Sequence, residues 1–151
     1  MTTRWLFLAL FAAPAHAAGA PEAFLAAIDE ARATCEVFEQ GRFSMRPGAL
    51  KTADLTGDGS ADDWVLDEAY FDCSSAVSLY CGTGGCAIDF AVGETTTQAF
   101  GKGWAAADDG GRRVIYLNIH GSGCGGTNLD PCFQKMMWTG AAFALFPPQG
   151  G

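Results

Sequence analysis

The sequence predicts an α+β fold, in which one N-terminal amphipathic helix packs on a meandering antiparallel β-sheet that is stapled by disulfides. Three observations support this prediction. Apolar residues follow a helical period once, near the N-terminus. After residue 62 they alternate with a period of two, which is typical of half-buried strands. The chain also contains 6 cysteines, and an even number is typical of a disulfide framework in an exported domain.

Residues 1–17 have the pattern of a secretory signal peptide. Arg4 supplies a positive start, the stretch from Trp5 to Ala13 is apolar, and Ala15-His16-Ala17 provides the small residues of a cleavage site. This apolar stretch is shorter than a bilayer span requires, and no later segment has the composition of a transmembrane span. We therefore expect residues 18–151 to form a single domain that is periplasmic or secreted.

The segment from Pro21 to Gln40 predicts the helix. Its apolar residues recur at steps of four and three, which places them on one helical face. These residues are Phe24, Ile28, Ala31, Cys35 and Phe38. Pro21 suits a first helical turn and Gly41 a helix end. Because Cys35 lies on the predicted buried face, a disulfide from this residue would attach the helix to a strand.

Two later segments alternate most clearly between apolar and polar residues. The apolar residues are Ile88, Phe90 and Val92 in one segment and Ile115, Leu117 and Ile119 in the other. Both predict strands of an antiparallel sheet with one covered face. Asp108-Asp109-Gly110-Gly111 and Thr139-Gly140-Ala141 predict hairpin turns. A weaker strand is predicted over residues 96–106 with a break at Gly101–Gly103, and the tail from Pro147 is expected to fray.

The cysteines predict three disulfides, because an exported domain folds in an oxidising compartment. They are Cys35, Cys73, Cys81, Cys86, Cys124 and Cys132. The short spacings favour Cys81 with Cys86 and Cys124 with Cys132, which leaves Cys35 with Cys73. A zinc site is disfavoured because the CxxC spacing is absent. The glycines between Cys81 and Cys86 allow an anion-binding nest, but a disulfide-closed turn is the favoured interpretation.

One loop, Asp54-Leu55-Thr56-Gly57-Asp58-Gly59-Ser60-Ala61-Asp62, has the spacing of a calcium-binding loop. The predicted metal ligands are the side chains of Asp54, Thr56, Asp58 and Asp62 and the carbonyl oxygen of Ser60. Gly59 permits the sharp bend that such a loop makes, and a set of oxygen ligands favours calcium. Val65 stands where an EF-hand has its bidentate Glu, so the EF-hand motif is incomplete.

The loop and the strand-like residues Asp63-Trp64-Val65-Leu66 after it resemble the calcium loops of FG-GAP and VCBS-type repeats. The pattern of that family is Asp-x-Asn-Gly-Asp-Gly-x-x-Asp, and this chain departs from it at Thr56. The resemblance implies one calcium ion in a structural role. A propeller repeats the motif in every blade, and this chain has it once. Together with the signal peptide and the Cys81–Cys86 ring, the loop makes the chain similar to small uncharacterised periplasmic proteins of Gram-negative bacteria, which implies no activity.

The charge of the chain restricts its partners. The formal net charge is −8, and loss of Arg4 with the signal peptide lowers it to −9. Nucleic acids and anionic membranes require a basic face, so we expect no nucleic-acid partner. A basic protein of the cell envelope is compatible with this charge. A rigid loop closed by Cys124 and Cys132 is the expected contact with such a partner.

Three functions stay open on the sequence alone. The first is a non-enzymatic exported domain with one structural calcium loop, which acts by protein or ligand binding. The second is a small hydrolase that uses His120 or the metal site, and the third is a purely structural envelope component. His120 ends a predicted strand beside a glycine-rich segment, but Ser122 lacks the spacing of a G-x-S-x-G nucleophile elbow. We therefore assign no catalytic residue and keep His120 as the only candidate.

Overall fold

The computed structural model describes residues 19–151, and the predicted signal peptide at residues 1–17 lies outside this range. Residues 19–151 contain one α-helix, α1 (Glu22–Val37), and twelve strands. The strands are β1 (Phe43–Met45), β2 (Leu50–Ala53), β3 (Asp63–Asp67), β4 (Phe71–Cys73), β5 (Cys81–Gly82), β6 (Gly85–Val92), β7 (Thr95–Gly101), β8 (Gly103–Asp109), β9 (Arg112–Asn118), β10 (Cys132–Trp138), β11 (Phe143–Leu145) and β12 (Gln149–Gly150). Short 3-10 helices lie at Glu68–Tyr70 and Gly121–Cys124. Within the same residues, no helix has the length and apolar character to cross a membrane.

The strands form three antiparallel sheets, which confirms the α+β fold class. The first sheet has the order β2-β3-β6-β5, with β7 also paired with β6. The second has the order β11-β10-β9-β8, with β12 also paired with β10, and β1 pairs with β4 alone. The predicted break at Gly101–Gly103 is where the chain passes from the first sheet to the second. A Cβ at Gly101 would stand 2.8 Å from the backbone oxygen of Asn118, so this close crossing requires glycine.

Two apolar cores give the domain three layers. The core between the two large sheets comprises Leu55, Val65, Ile88, Phe90, Ala99, Ile115, Leu117 and Met136. The core beneath the helix comprises Phe24, Ile28, Ala31, Ala49, Leu66, Phe71 and Ala91. Val65 and Leu66 are neighbours in β3, each is 0% exposed, and they belong to different cores. Because successive side chains of a strand point to opposite faces, the first sheet is the middle layer, with the helix on one face and the second sheet on the other.

The helix buries most of its predicted face. Four of the five predicted residues are buried, namely Phe24, Ile28, Ala31 and Cys35. The prediction was wrong for Phe38, which is 45% exposed. The reason is that the helix ends at Val37, and Glu39 and Gln40 then adopt positive φ values of 52° and 55°, which turn the chain away from the helical path.

The structure contains three disulfides, Cys35–Cys73, Cys81–Cys86 and Cys124–Cys132. They are the pairs that the spacing favoured, and no cysteine of residues 19–151 is free. The first attaches α1 to β4, the second closes the β5–β6 hairpin, and the third closes the loop that leads into β10. Such a framework in a small domain is consistent with an oxidising, extracytoplasmic location.

The chain turns and the C-terminal tail test the remaining predictions. Asp109 pairs with Arg112 across a two-residue turn, in which Gly110 and Gly111 have φ values of 58° and 77°. This predicted hairpin is therefore present, with the positive φ angles that favour glycine. The expected frayed tail was wrong, because β12 pairs with Cys132 and Phe133 of β10. The tail is held in place because its backbone pairs with β10, a strand that the Cys124–Cys132 disulfide already fixes.

Candidate metal loop and the cleft beside it

The predicted metal loop connects β2 and β3. Ala53 pairs with Asp63, so residues 54–62 cap this hairpin at the end of the first sheet. Leu55 is fully buried in the core between the two large sheets and anchors the loop there. Asp63 accepts a hydrogen bond from the Leu55 amide at 2.8 Å, and burial raises the pKa of the Asp63 carboxyl. The loop is thus held near its start by Leu55 and just after its end by Asp63.

Asp54 organises the loop through backbone amides. Its Oδ1 accepts a hydrogen bond from Gly57 N at 2.6 Å, and its Oδ2 accepts one from Gly59 N at 3.1 Å. Asp58 Oδ1 accepts a hydrogen bond from Ser60 N at 2.8 Å. Gly57 and Gly59 have φ values of 83° and 89°, in the left-handed region where glycine carries no steric penalty. The loop therefore curls around the first of its acidic side chains.

Arg113 of β9 reaches the loop from the second sheet. Its Nη2 donates to Asp54 Oδ2 at 3.0 Å, and its Nη1 lies 3.5 Å from Asp108 Oδ1. The Arg113 side chain is 21% exposed and that of Asp54 is 13% exposed. Partial burial alone would raise the pKa of Asp54, but the Gly57 amide, Arg113 and the Gly59 amide together hold this pKa below its ordinary value. This ion pair joins the two large sheets at one end of the domain.

The structure places the five predicted metal ligands in one loop, with different exposures. Asp58, Ser60 and Asp62 are exposed, whereas Asp54 and Thr56 are partly buried. Among residues 19–151, no three His, Cys, Asp or Glu side chains gather in a group that could hold a metal ion. Calcium loops also bind the ion through hydroxyl and backbone carbonyl oxygens, so the calcium site stays a prediction.

Thr56 provides the observation that fits a cation in this loop. Its Oγ1 is shielded from solvent and has no hydrogen-bond partner in the structure. A buried hydroxyl without a partner costs about 1 to 3 kcal/mol, and native proteins rarely leave one in that state. A hard cation in the loop would give this oxygen a partner, and hydroxyl oxygens are ligands that calcium accepts.

A cleft of about 780 Å³ opens beside the loop. Thr56 and Gly57 form one wall, Arg112 and Arg113 of the β8–β9 hairpin form another, and Trp138 at the end of β10 contributes an aromatic wall. Its volume lies in the range of small-molecule sites. No pattern in the sequence indicates this cleft, because its walls come from three separate hairpins with no shared motif.

His120 takes part in a local turn. Its Nδ1 accepts a hydrogen bond from Ser122 N at 3.1 Å and lies 2.8 Å from Ser122 Oγ. The imidazole therefore caps the short helix Gly121–Cys124. A Ser-His-acid triad requires a carboxylate that orients the ring. In the described part of the chain, the hydrogen bonds of the ring go to Ser122.

The two short disulfide rings have different surroundings. Cys81 pairs with Cys86 across a tight hairpin, and a Cβ at Gly85 would stand 2.0 Å from the backbone of Gly101. This glycine serves close strand packing, which agrees with a disulfide-closed turn. The Cys124–Cys132 loop is held by hydrogen bonds from Thr127 to Asp130 and presents Leu129 with 92% of its surface exposed.

A group of carboxylates surrounds Glu68 in the folded chain. Burial, followed by the charges of Asp89, Glu30 and Asp67, raises the pKa of Glu68 to about 7. Burial also raises the pKa of Asp89, whose Oδ2 is buried and has no hydrogen-bond partner in the described part of the chain. These residues come from α1, β3, β6 and the short helix after β3. No spacing in the sequence indicates that they meet.

Comparison with known proteins gives no relative: no protein-family model, no curated protein and no solved structure matches this chain. The structure itself defines the class, a small disulfide-stapled α+β domain consistent with an oxidising extracytoplasmic compartment.

Proposed function

We propose that this chain is a non-enzymatic exported domain whose Asp54–Asp62 loop binds one structural calcium ion and which acts by protein or ligand binding. The unpartnered, buried Oγ1 of Thr56 is the observation that most favours the metal. The residues that would hold the ion are Asp54, Thr56, Asp58, Ser60 and Asp62. Calcium would supply positive charge to a loop that contains three carboxylates, and no chemical step follows from it.

The position of the loop supports a structural role. It caps the β2–β3 hairpin, and its Leu55 belongs to the core between the large sheets. An ion that orders this loop also holds Leu55 in place. Binding to the folded state alone would therefore stabilise the whole domain.

Calorimetric melting of the oxidised chain, with calcium and with chelator, tests the metal site. At free calcium about 100-fold above the dissociation constant, we expect a stabilisation of about 2.7 kcal/mol. Asp58→Ala should abolish this stabilisation, because it removes one of the proposed calcium ligands. The Asp58 side chain is exposed, so its removal disturbs little else. Glu94→Ala, which removes an exposed carboxylate from the β6–β7 turn, should retain it. Equal melting of the unsubstituted chain with calcium and chelator would contradict the calcium site.

Two surfaces support a binding role. One is the cleft beside the loop. The other is the Cys124–Cys132 loop, where the disulfide and a hydrogen bond from Lys102 Nζ to the Asn128 carbonyl at 2.6 Å hold the exposed Leu129 in a rigid setting. Rigid loops that present an apolar side chain lose little entropy on association.

Affinity capture from an envelope extract, at low and at high salt, separates this function from its alternatives. Capture of a basic protein that is lost at high salt would support binding, because exposed charge pairs are screened. A purely structural envelope component would capture no partner. A small hydrolase would show turnover that His120→Ala abolishes in a folded variant.

A further inference from the structure

We propose that Arg113 is the resident counter-cation of the calcium loop: its guanidinium holds the Asp54 carboxylate in the metal-free state and sets how tightly calcium binds there. This inference rests on the proposed calcium site. It assigns a determinant of metal affinity to a residue of the second sheet, outside the loop and outside the motif.

The Arg113–Asp54 contact meets the requirements of such a role. Nη2 of Arg113 lies 3.0 Å from Oδ2 of Asp54, and the two side chains are only 21% and 13% exposed. Partly buried pairs are screened by salt much less than exposed ones. Asp54 is the first ligand of the predicted set, so the metal and Arg113 require the same carboxylate.

The backbone fixes Arg113 in this position. It lies in β9, where it pairs with Asp108 of β8. The loop packs directly on it, since a Cβ at Gly57 would stand 2.9 Å from the Cβ of Arg113. The arginine therefore cannot leave the neighbourhood of the loop when a metal binds, and only its guanidinium can move.

The guanidinium also has a second carboxylate within reach. Asp108 Oδ1 lies 3.5 Å from Nη1, and the Asp108 side chain is 70% exposed. The Nε of Arg113 is buried and has no hydrogen-bond partner among residues 19–151, so its donors are not all satisfied by Asp54. Calcium that binds Asp54 would leave Arg113 paired with Asp108. The ion pair with the loop is thus an exchangeable contact.

Electrostatics gives the size of the effect. A divalent cation and a unit charge about 5 Å apart repel one another even in a medium as polar as water, by an amount that corresponds to roughly ten-fold in affinity. Removal of the charge of Arg113 should therefore tighten calcium binding by about ten-fold. A charge that is exposed to solvent and more distant from Asp54 is screened by salt, so its removal should change the affinity far less.

Arg112 provides the matched control. It is the neighbour of Arg113 in β9, it is exposed, and it makes no ion pair within residues 19–151. Calorimetric calcium titrations should be made on the unsubstituted chain, on Arg113→Gln and on Arg112→Gln. We expect Arg113→Gln to bind calcium about ten-fold more tightly, and Arg112→Gln to stay within about two-fold of the unsubstituted chain.

The possible results separate the two proposals. Equal or weaker binding by Arg113→Gln than by the unsubstituted chain overturns the role of Arg113 and leaves the calcium site intact. Calcium binding by Arg113→Gln but not by the unsubstituted chain supports the role of Arg113. It overturns the proposal that the unsubstituted loop holds a calcium ion. If no chain binds calcium, both proposals fail.

A second measurement avoids the substitution, in case Arg113→Gln does not fold. The Nε–H resonances of Arg112 and Arg113 are followed by NMR while calcium is added to the unsubstituted chain. We expect the Arg113 resonance to shift in proportion to the bound calcium, while that of Arg112 stays in place. Bound calcium with an unmoved Arg113 resonance overturns the proposal.

Discussion

Two acidic regions of this domain shift the pKa of a carboxyl group in opposite directions. Asp54 accepts hydrogen bonds from the Gly57 and Gly59 amides and from Arg113, and its pKa lies below the ordinary value. Glu68 is partly buried beside other carboxylates, and its pKa rises to about 7. Both residues flank the same strand, β3, one before it and one after it.

The comparison shows that a dense acidic motif is not the place where carboxylates repel most strongly. The Asp54–Asp62 loop has three aspartates in nine positions, yet its amides and Arg113 stabilise the charge of Asp54. Glu68 has no such motif around it, but folding brings Asp89 and Glu30 near it from distant parts of the chain. The charged and hydrogen-bonding groups that folding brings near a carboxylate determine whether its pKa rises or falls.

Asp54→Asn should have the largest effect on stability. The amide retains one acceptor oxygen, but the charge-assisted bonds to Gly57 N, Gly59 N and Arg113 are weakened together. We expect the melting temperature in chelator to fall by about 5 °C or more. Asp58→Asn is the matched control, because the carboxylate of Asp58 accepts a single bond, from Ser60 N. A smaller loss in Asp54→Asn than in Asp58→Asn would remove Asp54 as the organiser of the loop.

Glu68→Gln should stabilise the domain above neutral pH. Because the folded-state pKa is raised from 4.5 to about 7, the folded state binds a proton more tightly than the unfolded state does. This contribution to stability is fully present below the unfolded pKa and is lost as the pH rises through about 7. Glutamine stays neutral and avoids that loss, by an amount on the order of 1 kcal/mol at about pH 8 after solvent screening.

Urea unfolding of the unsubstituted chain and of Glu68→Gln, between about pH 4.5 and pH 8, measures the stabilisation by glutamine. The difference in unfolding free energy should grow with pH in favour of Glu68→Gln. Glu94→Gln, at an exposed turn position, should show no such growth. A difference that is independent of pH would mean that Glu68 has the same pKa in the folded and unfolded states.

Local patterns predicted the elements that local interactions build. The helical period predicted α1, alternation predicted β6 and β9, and the Gly110–Gly111 pair predicted the hairpin before β9. The cysteine spacing favoured the two short disulfides, and the third, Cys35–Cys73, was the pair that remained. Each of these predictions depends on residues that are close together in the sequence, or on the even number of cysteines in an oxidising compartment.

The other features of the fold and of the candidate site depend on contacts between residues that are distant in the sequence, which no local pattern indicates. Arg113 meets Asp54 from 59 positions away in the sequence. The sequence predicted the break at Gly101–Gly103, but not that the chain changes sheets there, because that change depends on the close approach to Asn118. The acidic group around Glu68 likewise forms only when α1 covers the first sheet. Side-chain partners across layers are a property of the packed fold.

Asp89→Asn should have the smallest effect, and it tests what raises the pKa of Glu68. Burial is the leading cause and the charge of Asp89 is the next, so the variant should lower the pKa of Glu68 without restoring its ordinary value. Stability near neutral pH should change by no more than about 0.5 kcal/mol, because relief of a buried charge offsets a weaker hydrogen bond from Gln98. Carboxyl ¹³C shifts of Glu68, titrated in both chains, measure the change. An unmoved titration would assign the effect to burial and to the charges of Glu30 and Asp67, and a return to the ordinary range would assign it to the charge of Asp89.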